Sequence, residues 1–321
     1  MNERTFPFSF LLIVIFVIIS SCESITEKSI VAEIDLQGHR GARGLKPENT
    51  LPAFEEAMKF GMSTIELDTV VTKDKQLLIH HDTELNPVIC LDEKNEPVKK
   101  IKISDLEISE IKKLDCGTLK NPKFPEQQPV AGTRLSTLGE FFKFVQEYEK
   151  KNKLTRKFQF NIETKFPSSP KETDIEEFAR LMVTEIEKAK MVERSTVQSF
   201  NHKVLPIVLK LNPKLKTSAL IEPNGILGYI NLRFFFRRTK QTRAIEQAIT
   251  ANAKIISPYY EYVDEFFLKT AHEKNLIVIP WTVNDPEDMK RLLQIGVDGI
   301  ISDYPDRLKK VFEESLNAKK N

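Results

Sequence analysis

The sequence lacks an excess of charge of either sign, because 48 lysines and arginines are balanced by 46 aspartates and glutamates. A net charge of +2 in 321 residues argues against a nucleic-acid-binding surface, and no block of like charges is typical of an interaction tail. The chain also lacks a glycine-rich dinucleotide-binding fingerprint, which disfavours an open, doubly wound sheet. The remaining composition is that of a soluble globular protein, either one large domain such as an α/β barrel or two ordinary ones.

Cysteine is scarce, with three in the chain, and the first of them follows an apolar N-terminal run. Residues 6–19 are largely apolar, but this run is shorter than the ~20 residues that a membrane-spanning helix needs. The letters "ISSC", which end at Cys22, resemble the lipobox of bacterial lipoproteins. The resemblance implies a signal peptide over residues 1–21, a lipidated Cys22 and a tether over residues 22–32. The folded part, residues 33–316, is then expected to be lipid-anchored to a bacterial membrane, in an extracytoplasmic or periplasmic location. An uncleaved anchor helix is the alternative.

The other two cysteines, Cys90 and Cys116, fall within the folded part. Outside the cytosol they are candidates for a disulfide that closes a loop and contributes about 3 kcal/mol. Two buried free thiols are the alternative interpretation, so the pairing stays open at this point.

Short apolar runs alternate with amphipathic helical stretches throughout the folded part. In "TLPAFEEAMKFG", for example, Leu51, Phe54, Ala57 and Met58 recur at helical spacing before Gly61. A strand–helix unit repeated eight times predicts a parallel sheet closed into a (β/α)8 TIM barrel. The predicted strands span residues 34–38, 64–71, 158–163, 196–200, 217–221, 254–257, 277–283 and 299–302.

One segment, "STIELDTVVTKDKQLLIHHD", holds two strand-like runs separated by only a few residues. A parallel crossover needs a dozen or more residues, so these runs must form an antiparallel hairpin that turns near Lys73 and Asp74. The hairpin register places residues 80–82 opposite residues 66–68. Two carboxylates and two histidines are therefore expected in one small volume.

Two irregular stretches interrupt the strand–helix pattern. Residues 83–133 predict a small insertion over the barrel mouth, with one helix in "SDLEISEIKKLD", and Ser136 is predicted as the N-cap of the barrel helix that follows. The second stretch, "YINLRFFFRRTK" at residues 229–240, has two interpretations. It forms either a surface that meets lipid or a connection whose phenylalanines pack on the barrel.

Three acidic residues occur at predicted strand ends, where the functional residues of a TIM barrel lie. Glu66 and Asp68 are two apart on one strand and share a face, and Glu163 ends the next barrel strand. Buried carboxylates are costly unless they are paired or bind a metal. Three oxygen donors without a thiolate favour one hard divalent cation, Ca²⁺ or Mg²⁺. An ion-paired cluster with Arg40 and Lys165 is the alternative.

The loop "QGHRGARGLKPENT" follows the first predicted strand and places His39 and Arg40 between glycines. Arginine presents forked donors that suit a phosphate, Lys165 offers a point charge, and glycines let a backbone approach a ligand. His39 and His81 lie at strand ends beside the acidic residues and are expected to form an acid–base pair. The sequence thus predicts a site for an anion held on a divalent cation.

Six motifs in order are similar to those of the glycerophosphodiester phosphodiesterase family: "HRGARGLKPENT", "ELDTVVTKDKQLLIHHD", "NIETK", "VQSF", "WTVN" and "GVDGIISDYP". The resemblance extends from Ile34 to Asp306. It implies a TIM barrel, one divalent cation (Ca²⁺ or Mg²⁺) and hydrolysis of a small glycerophosphodiester to glycerol 3-phosphate and an alcohol. The balanced charge predicts no nucleic-acid partner, and the oligomeric state stays open.

The resemblance also assigns roles to individual residues. His39 and His81 match the two catalytic histidines of the family. The metal ligands are matched by Glu66, Asp68 and Glu163. Substrate-binding positions are matched by Arg40 and Lys165 at the phosphate, by Phe200 and Trp281 at the glycerol or alcohol pocket, and by Asn49 and Asn284 within the motifs.

The chain departs from the family pattern after the His-Asp pair. Asn86, Pro87 and Val88 stand where an Arg-Thr-Thr often follows, so the part of the site that takes the leaving alcohol is expected to differ. Three other functions stay open: a lysophospholipase D-like activity, a phosphoinositide-phospholipase-like activity, and a non-catalytic lipoprotein that binds phosphorylated ligands.

Overall fold

The computed structural model describes residues 34–223 and 236–318. Its strands form one sheet, in which all but β3 run parallel and alternate with helices. The strands are β1 (Asp35–Gly38), β2 (Thr64–Val71), β3 (Leu77–Ile79), β4 (Gln159–Thr164), β5 (Ser195–Ser199), β6 (Lys216–Ile221), β7 (Ile255–Pro258), β8 (Ile277–Val278) and β9 (Gly299–Ser302).

The parallel strands close into a barrel. Each strand pairs with the next in the order β8-β7-β6-β5-β4-β2-β1-β9. The two end strands then meet through backbone hydrogen bonds, because Asp298 N donates to Val278 O (3.1 Å) and Ile301 N donates to Pro280 O (3.0 Å). This arrangement confirms the predicted (β/α)8 TIM barrel, whose strands all end on one face.

Helices pack on the outside of the barrel. In the first of them, Phe54, Ala57 and Met58 are buried as the sequence spacing predicts, and the Thr50 side chain caps the N-terminus by accepting from Ala53 N. Within residues 34–223 and 236–318, no helix is long and apolar enough to cross a membrane. The helices are α1 (Leu51–Lys59), α2 (Ile108–Ile111), α3 (Leu138–Lys151), α4 (Glu172–Lys188), α5 (Val204–Leu211), α6 (Arg237–Thr250), α7 (Glu265–Glu273), α8 (Pro286–Ile295) and α9 (Pro305–Ala318).

The seventh predicted barrel strand is much shorter than residues 277–283. Regular pairing ends at Val278, although Ile279 N still donates to Ile256 O (3.0 Å) and Trp281 N to Pro258 O (3.1 Å). Pro280 lies between these two residues and has no N–H to donate. Strand β8 is thus regular only at Ile277–Val278, while backbone hydrogen bonds to β7 continue as far as Trp281.

The hairpin register is confirmed. Strand β3 pairs antiparallel with β2, with Thr69 opposite Ile79 and Val71 opposite Leu77. His80 N then donates to Asp68 O (3.1 Å), so the histidines that follow β3 begin beside the acidic end of β2.

Residues 83–133 form an insertion with a small apolar core of its own, which includes Ile89, Val98 and Ile111 and packs on Val70 and Leu78 of the hairpin. The helix predicted in "SDLEISEIKKLD" is reduced to a 3-10 turn at Ile103–Asp105 and to the four residues of α2.

The predicted N-cap of α3 is wrong. The cap is Thr137, because Glu140 stands three residues later and completes a reciprocal capping box. Ser136 instead uses its backbone carbonyl to accept from Ile79 N (2.8 Å), which ties the start of α3 to the hairpin.

Cys90 and Cys116 form a disulfide inside the insertion, which decides between the two interpretations. The bridge is buried among the apolar side chains of the insertion core. The segment that it closes therefore has a fixed shape next to the hairpin that carries His81.

Other sequence predictions fall on residues outside the described ranges. The signal peptide, Cys22 and the tether lie there, and so does most of the stretch at residues 229–240. Phe236 is described: it precedes α6, and 72% of its surface is exposed.

Candidate active site

The three acidic residues converge at the C-terminal ends of neighbouring strands. Glu66 and Asp68 project from β2, and the register pairs Asp68 with Glu163 of β4. Each of the three offers a carboxylate oxygen, and these oxygens lie within 4.8 Å of one another. We call Glu66, Asp68 and Glu163 the acidic cluster, and all three side chains are buried.

Glu66 has a hydrogen-bond donor at each of its two carboxylate oxygens. Its Oε2 accepts a hydrogen bond from the backbone N of Arg40 (2.7 Å), and its Oε1 accepts one from Gln198 Nε2 (2.9 Å). Burial raises the pKa of Glu66 well above its ordinary value, and the negative charges of Asp68 and Glu163 raise it further.

Asp68 is held from three sides. Asn49 Nδ2 donates to its Oδ2 (2.8 Å), Arg40 Nε lies 3.0 Å from the same oxygen, and Lys165 Nζ lies 3.2 Å from Oδ1. Burial by itself raises the pKa of Asp68, but Lys165 and Arg40 outweigh burial and hold the pKa well below its usual range. This carboxylate is therefore ionised at neutral pH.

Glu163 completes the acidic cluster, with its Oε1 2.5 Å from Lys165 Nζ. Burial and the negative Asp68 raise the pKa of Glu163, Lys165 partly offsets them, and the result is about 7. Among the described residues, neither Glu163 Oε1 nor Asp68 Oδ1 accepts a hydrogen bond of good geometry. Both oxygens face Lys165 Nζ, and three buried carboxylates whose oxygens lie this close together fit a hard divalent cation.

His39 faces the acidic cluster across a short gap. Its Nε2 lies 4.0 Å from Glu66 Oε2, and its Nδ1 lies 2.6 Å from Asp303 Oδ1. Burial raises the pKa of Asp303, but the neighbouring His39 and Arg43 outweigh burial and lower it to about 2. An ionised Asp303 can only accept, so His39 carries its proton on Nδ1 and leaves Nε2 free. Burial also lowers the pKa of His39, and Asp303 offsets this only in part.

Asp303 is a residue that the sequence reasoning missed. Its partner Asn284 was predicted from its motif position to bind substrate. In the structure, Asn284 Nδ2 donates to Asp303 Oδ2 (2.7 Å), and Asn284 Oδ1 accepts from Asp303 N (3.0 Å). The signal was present in "ISDYP", because Asp303 directly follows β9 and so stands at a barrel-strand end.

His81 has a carboxylate partner of its own. Its Nδ1 lies 2.7 Å from Asp82 Oδ1, and Asn86 Nδ2 donates to Asp82 Oδ2 (2.9 Å). The hydrogen bond from His81 is the main cause that lowers the pKa of Asp82 to about 2. Asn86, which belongs to the stretch that departs from the family pattern, thus supports the Asp82–His81 pair.

Arg40 is buried among carboxylates. Its NH1 lies 2.6 Å from Glu48 Oε1, while Nε faces Asp68, and Arg43 Nε lies 2.8 Å from the other oxygen of Glu48. Glu48 therefore forms buried ion pairs with both arginines. The sequence reasoning also missed this residue. Burial raises the pKa of Glu48, but these two arginines outweigh burial and lower it to about 2.

The glycines of the loop are explained by packing. Gly41 has φ +80°, and a Cβ there would lie 2.5 Å from a backbone atom of Ala53. A Cβ on Gly38 would lie 2.4 Å from the carbonyl oxygen of Gly41. The two glycines thus let the loop that carries His39 turn tightly against α1.

Phe200 and Trp281 form an aromatic wall beside the acidic cluster. Their rings pack edge to face with centroids 5.3 Å apart, and Lys165 Nζ lies 5.7 Å from the Phe200 ring centroid. Trp281 Nε1 donates to Ser257 O (2.8 Å), which fixes the indole. Phe200 directly follows β5, so it stands at the C-terminal end of a barrel strand, and 38% of its surface is exposed.

These features define a (β/α)8 barrel whose strand ends hold a three-carboxylate cluster and two carboxylate-paired histidines. The chain matches the Glycerophosphoryl diester phosphodiesterase family over residues 39–307. It therefore belongs to that family and is a phosphodiester-hydrolysing enzyme. This confirms the resemblance seen in the motifs.

Individual relatives agree with this placement. The chain is 31% identical over 275 residues to a glycerophosphodiester phosphodiesterase of Caldanaerobacter subterraneus, a match that covers 84% of this chain and 94% of the relative. A crystal structure from Silicibacter pomeroyi, provisionally named a glycerophosphoryl diester phosphodiesterase, superposes with TM-score 0.77 at 26% identity and covers 88% and 93% of the two chains. A phosphodiesterase of Oleispira antarctica, solved in complex with its product sn-glycerol-3-phosphate, shares the fold with TM-score 0.66 at 20% identity over 87% and 96% of the chains.

Proposed function

We propose that the protein hydrolyses glycerophosphodiesters to glycerol 3-phosphate and an alcohol, with one divalent cation, Ca²⁺ or Mg²⁺, and two histidines. The observation that carries the proposal is the convergence of the three buried carboxylates of the acidic cluster, with the free Nε2 of His39 4.0 Å from Glu66 Oε2. Membership of the family supports it, and so does the product, glycerol 3-phosphate, that is bound to the Oleispira relative.

The acidic cluster would hold the cation, which supplies positive charge that offsets the negative charge of the phosphodiester when it is bound. Lys165 adds a further positive charge at the edge of the acidic cluster and lies next to the aromatic wall. The substrate phosphate would then bind over the acidic cluster, within reach of the Lys165 ammonium. The glycerol or alcohol part then lies against Phe200 and Trp281.

The two histidines divide the proton transfers. His39, neutral at pH 7 and protonated on Nδ1, accepts the proton of the attacking hydroxyl at Nε2. His81, which is oriented by Asp82, donates a proton from Nε2 to the leaving alkoxide as its bond to phosphorus breaks. The nucleophile is either water or the glycerol 2-hydroxyl. If it is the hydroxyl, a cyclic phosphate forms first and water then opens it.

A substrate panel tests this function. Purified protein is assayed with glycerophosphodiesters and lysophospholipids in the presence of EDTA, Mg²⁺ or Ca²⁺. We expect glycerol 3-phosphate release from glycerophosphodiesters only when a cation is present. Turnover restricted to lysophospholipids would instead favour the lysophospholipase D-like function, and no turnover at all would favour the binding lipoprotein.

Cation affinity is expected to rise with pH between about 6 and 8. The pKa of Glu163 is about 7 and that of Glu66 is raised, so at lower pH these groups hold protons that a cation must displace. Binding therefore releases protons, and acidification weakens it. Isothermal titration calorimetry in buffers of different ionisation enthalpy measures both effects. An affinity that does not change across this range would contradict the assignment of these ligands.

Asp303→Asn is expected to lower kcat at least ~100-fold with little change in KM, because an amide no longer fixes the proton of His39 on Nδ1. The matched control is Asp298→Asn, which alters a second His–Asp pair, His272 Nε2–Asp298 Oδ2 (2.8 Å), just before β9. Asp298 precedes the strand and so lies at the opposite end of the barrel. Equal kcat values in the two variants would refute the role of Asp303.

We further propose that Cys22 carries a lipid that holds the enzyme at a bacterial membrane, in an extracytoplasmic or periplasmic location. The proposal rests on the apolar run followed by "ISSC". In cells, Cys22→Ser is expected to move the protein from the membrane fraction to the soluble fraction. If the variant stays in the membrane fraction, an uncleaved anchor helix replaces this proposal.

A further inference from the structure

Three amide side chains lie in a row inside the barrel, beneath the acidic cluster. They are Gln37 of β1, Asn161 of β4 and Gln198 of β5, and each is at most 2% exposed. We call these three residues the amide chain. None of these three residues is assigned above to bind the cation or the substrate.

The hydrogen bonds of the amide chain have a defined direction. At its lower end, Gln37 Nε2 donates to Asp35 Oδ2 (2.7 Å). Asn161 Nδ2 donates both to Gln37 Oε1 (2.9 Å) and to Gln198 Oε1 (3.0 Å). Gln198 Nε2 then donates to Glu66 Oε1 (2.9 Å). The row therefore connects Asp35 at the start of β1 with a carboxylate of the acidic cluster.

Both ends of the amide chain are carboxylates, and this fixes the orientation of every amide between them. An ionised carboxylate, the form in which Glu66 would bind a cation, only accepts, so each end requires an NH₂ group to face it, and one residue in the middle must donate in both directions. Asn161 does so, and its Oδ1 is left without a hydrogen-bond partner among the described residues. An unpaired buried acceptor costs about 1–3 kcal/mol, and pure core packing gives no reason to keep it.

The lower carboxylate is itself held as an acceptor. Ser63 Oγ (2.5 Å) and Thr64 Oγ1 (2.6 Å) both donate to Asp35 Oδ1. Gln37 must then turn its NH₂ group toward Asp35 and its oxygen toward Asn161. The orientation of Gln37 fixes that of the next two amides in the amide chain. Gln198 therefore presents Nε2, and not its oxygen, to Glu66.

We propose that the amide chain is a positioning element, which fixes the Glu66 carboxylate in the orientation that binds the cation and thereby sets the cation affinity. Arg40 N holds one oxygen of Glu66 and Gln198 Nε2 holds the other, so the plane of the carboxylate is fixed from two directions. If the amide of Gln198 turned over, its oxygen would face Glu66 and repel it. Partners of metal ligands are typically worth 10–100-fold in metal affinity. This inference rests on the proposed cation site.

The test compares uncharged variants of the amide chain. Gln198→Met removes the donor to Glu66 and keeps the length of the side chain. Asn161→Leu leaves Gln198 in place but removes the bond that orients it. The control is Thr217→Val, because Thr217 lies on the neighbouring strand β6, is equally buried but on the opposite face of the sheet, and its hydroxyl has no hydrogen-bond partner among the described residues.

Isothermal titration calorimetry with Ca²⁺ and Mg²⁺, on protein stripped of metal, gives the Kd of each variant. We expect both amide-chain variants to weaken binding by about 10–100-fold, with a smaller rise in Tm on cation addition, and Thr217→Val to bind as the wild type does. Circular dichroism verifies that each variant is folded, and Asn161→Leu carries the test if Gln198→Met does not fold.

An unchanged Kd in a folded variant of the amide chain overturns the positioning role. If the variants lower the Tm of the stripped protein but leave the Kd unchanged, the amide chain serves stability alone and the proposal is again overturned. A wild type that binds no cation overturns the proposed cation site as well, which distinguishes the two failures.

Discussion

Replacement of His39 with alanine is expected to lower kcat at least ~100-fold while cation binding persists. The residue presents a free Nε2 toward the acidic cluster, with Nδ1 bound to an ionised Asp303. Without the imidazole, nothing accepts the proton of the attacking hydroxyl. The acidic cluster does not depend on this side chain, since Glu66 is held by Arg40 N and Gln198.

The matched control for this variant is His272→Ala. His272 also pairs with an aspartate at hydrogen-bond distance, but its partner Asp298 precedes β9 and so lies at the other end of the barrel. Steady-state kinetics on both variants, with cation Kd values from calorimetry, separate loss of chemistry from loss of structure. Near-full activity in His39→Ala would remove the acid–base assignment.

Asp68→Asn is expected to weaken cation binding by more than ~100-fold, beyond the loss typical of a residue that only supports a ligand, and to reduce activity accordingly. The substitution keeps the size of the side chain but removes the one carboxylate of the acidic cluster whose pKa is held low. Its Oδ1 faces Lys165 Nζ at 3.2 Å, accepts no hydrogen bond of good geometry within the described ranges, and is the oxygen that a cation would take.

A control for charge loss is available on the same hairpin. Asp74 lies in the turn between β2 and β3 and accepts from Thr72 Oγ1 and Ile108 N, so Asp74→Asn changes a carboxylate far along the hairpin from the acidic end of β2. It should bind cations as the wild type does. If Asp68→Asn retains wild-type cation affinity, the acidic cluster is an ion-paired group with Arg40 and Lys165, which was the alternative at the sequence level.

The barrel could be predicted because its strands are short apolar runs at regular intervals, and the hairpin because its connection is too short for a crossover. Both inferences use only local pattern and chain length. The errors were local as well. Regular pairing in β8 ended early, at Val278, and the choice of Ser136 over Thr137 overlooked Glu140, which stands three residues after Thr137.

The acidic cluster and His39 were found because they stand at strand ends, where barrel chemistry is expected. Asp303, Asp82 and Glu48 were not assigned roles, since each acts by contacting another side chain. Asp303 lies 264 residues from His39 in the sequence, and only the closed barrel brings the two together. The disulfide also needed coordinates, because distance in space decides whether two thiols can pair.

The proposed reaction requires that the three acidic side chains share one cation, which activates phosphodiester cleavage. The most direct measurement strips the purified enzyme of metal, adds back Ca²⁺ or Mg²⁺ in steps, and follows glycerol 3-phosphate release beside the calorimetric binding curve. We predict that activity is absent in the stripped enzyme and rises in parallel with occupancy of a single site. Full turnover in the stripped enzyme, or saturated binding without glycerol 3-phosphate, would contradict the account.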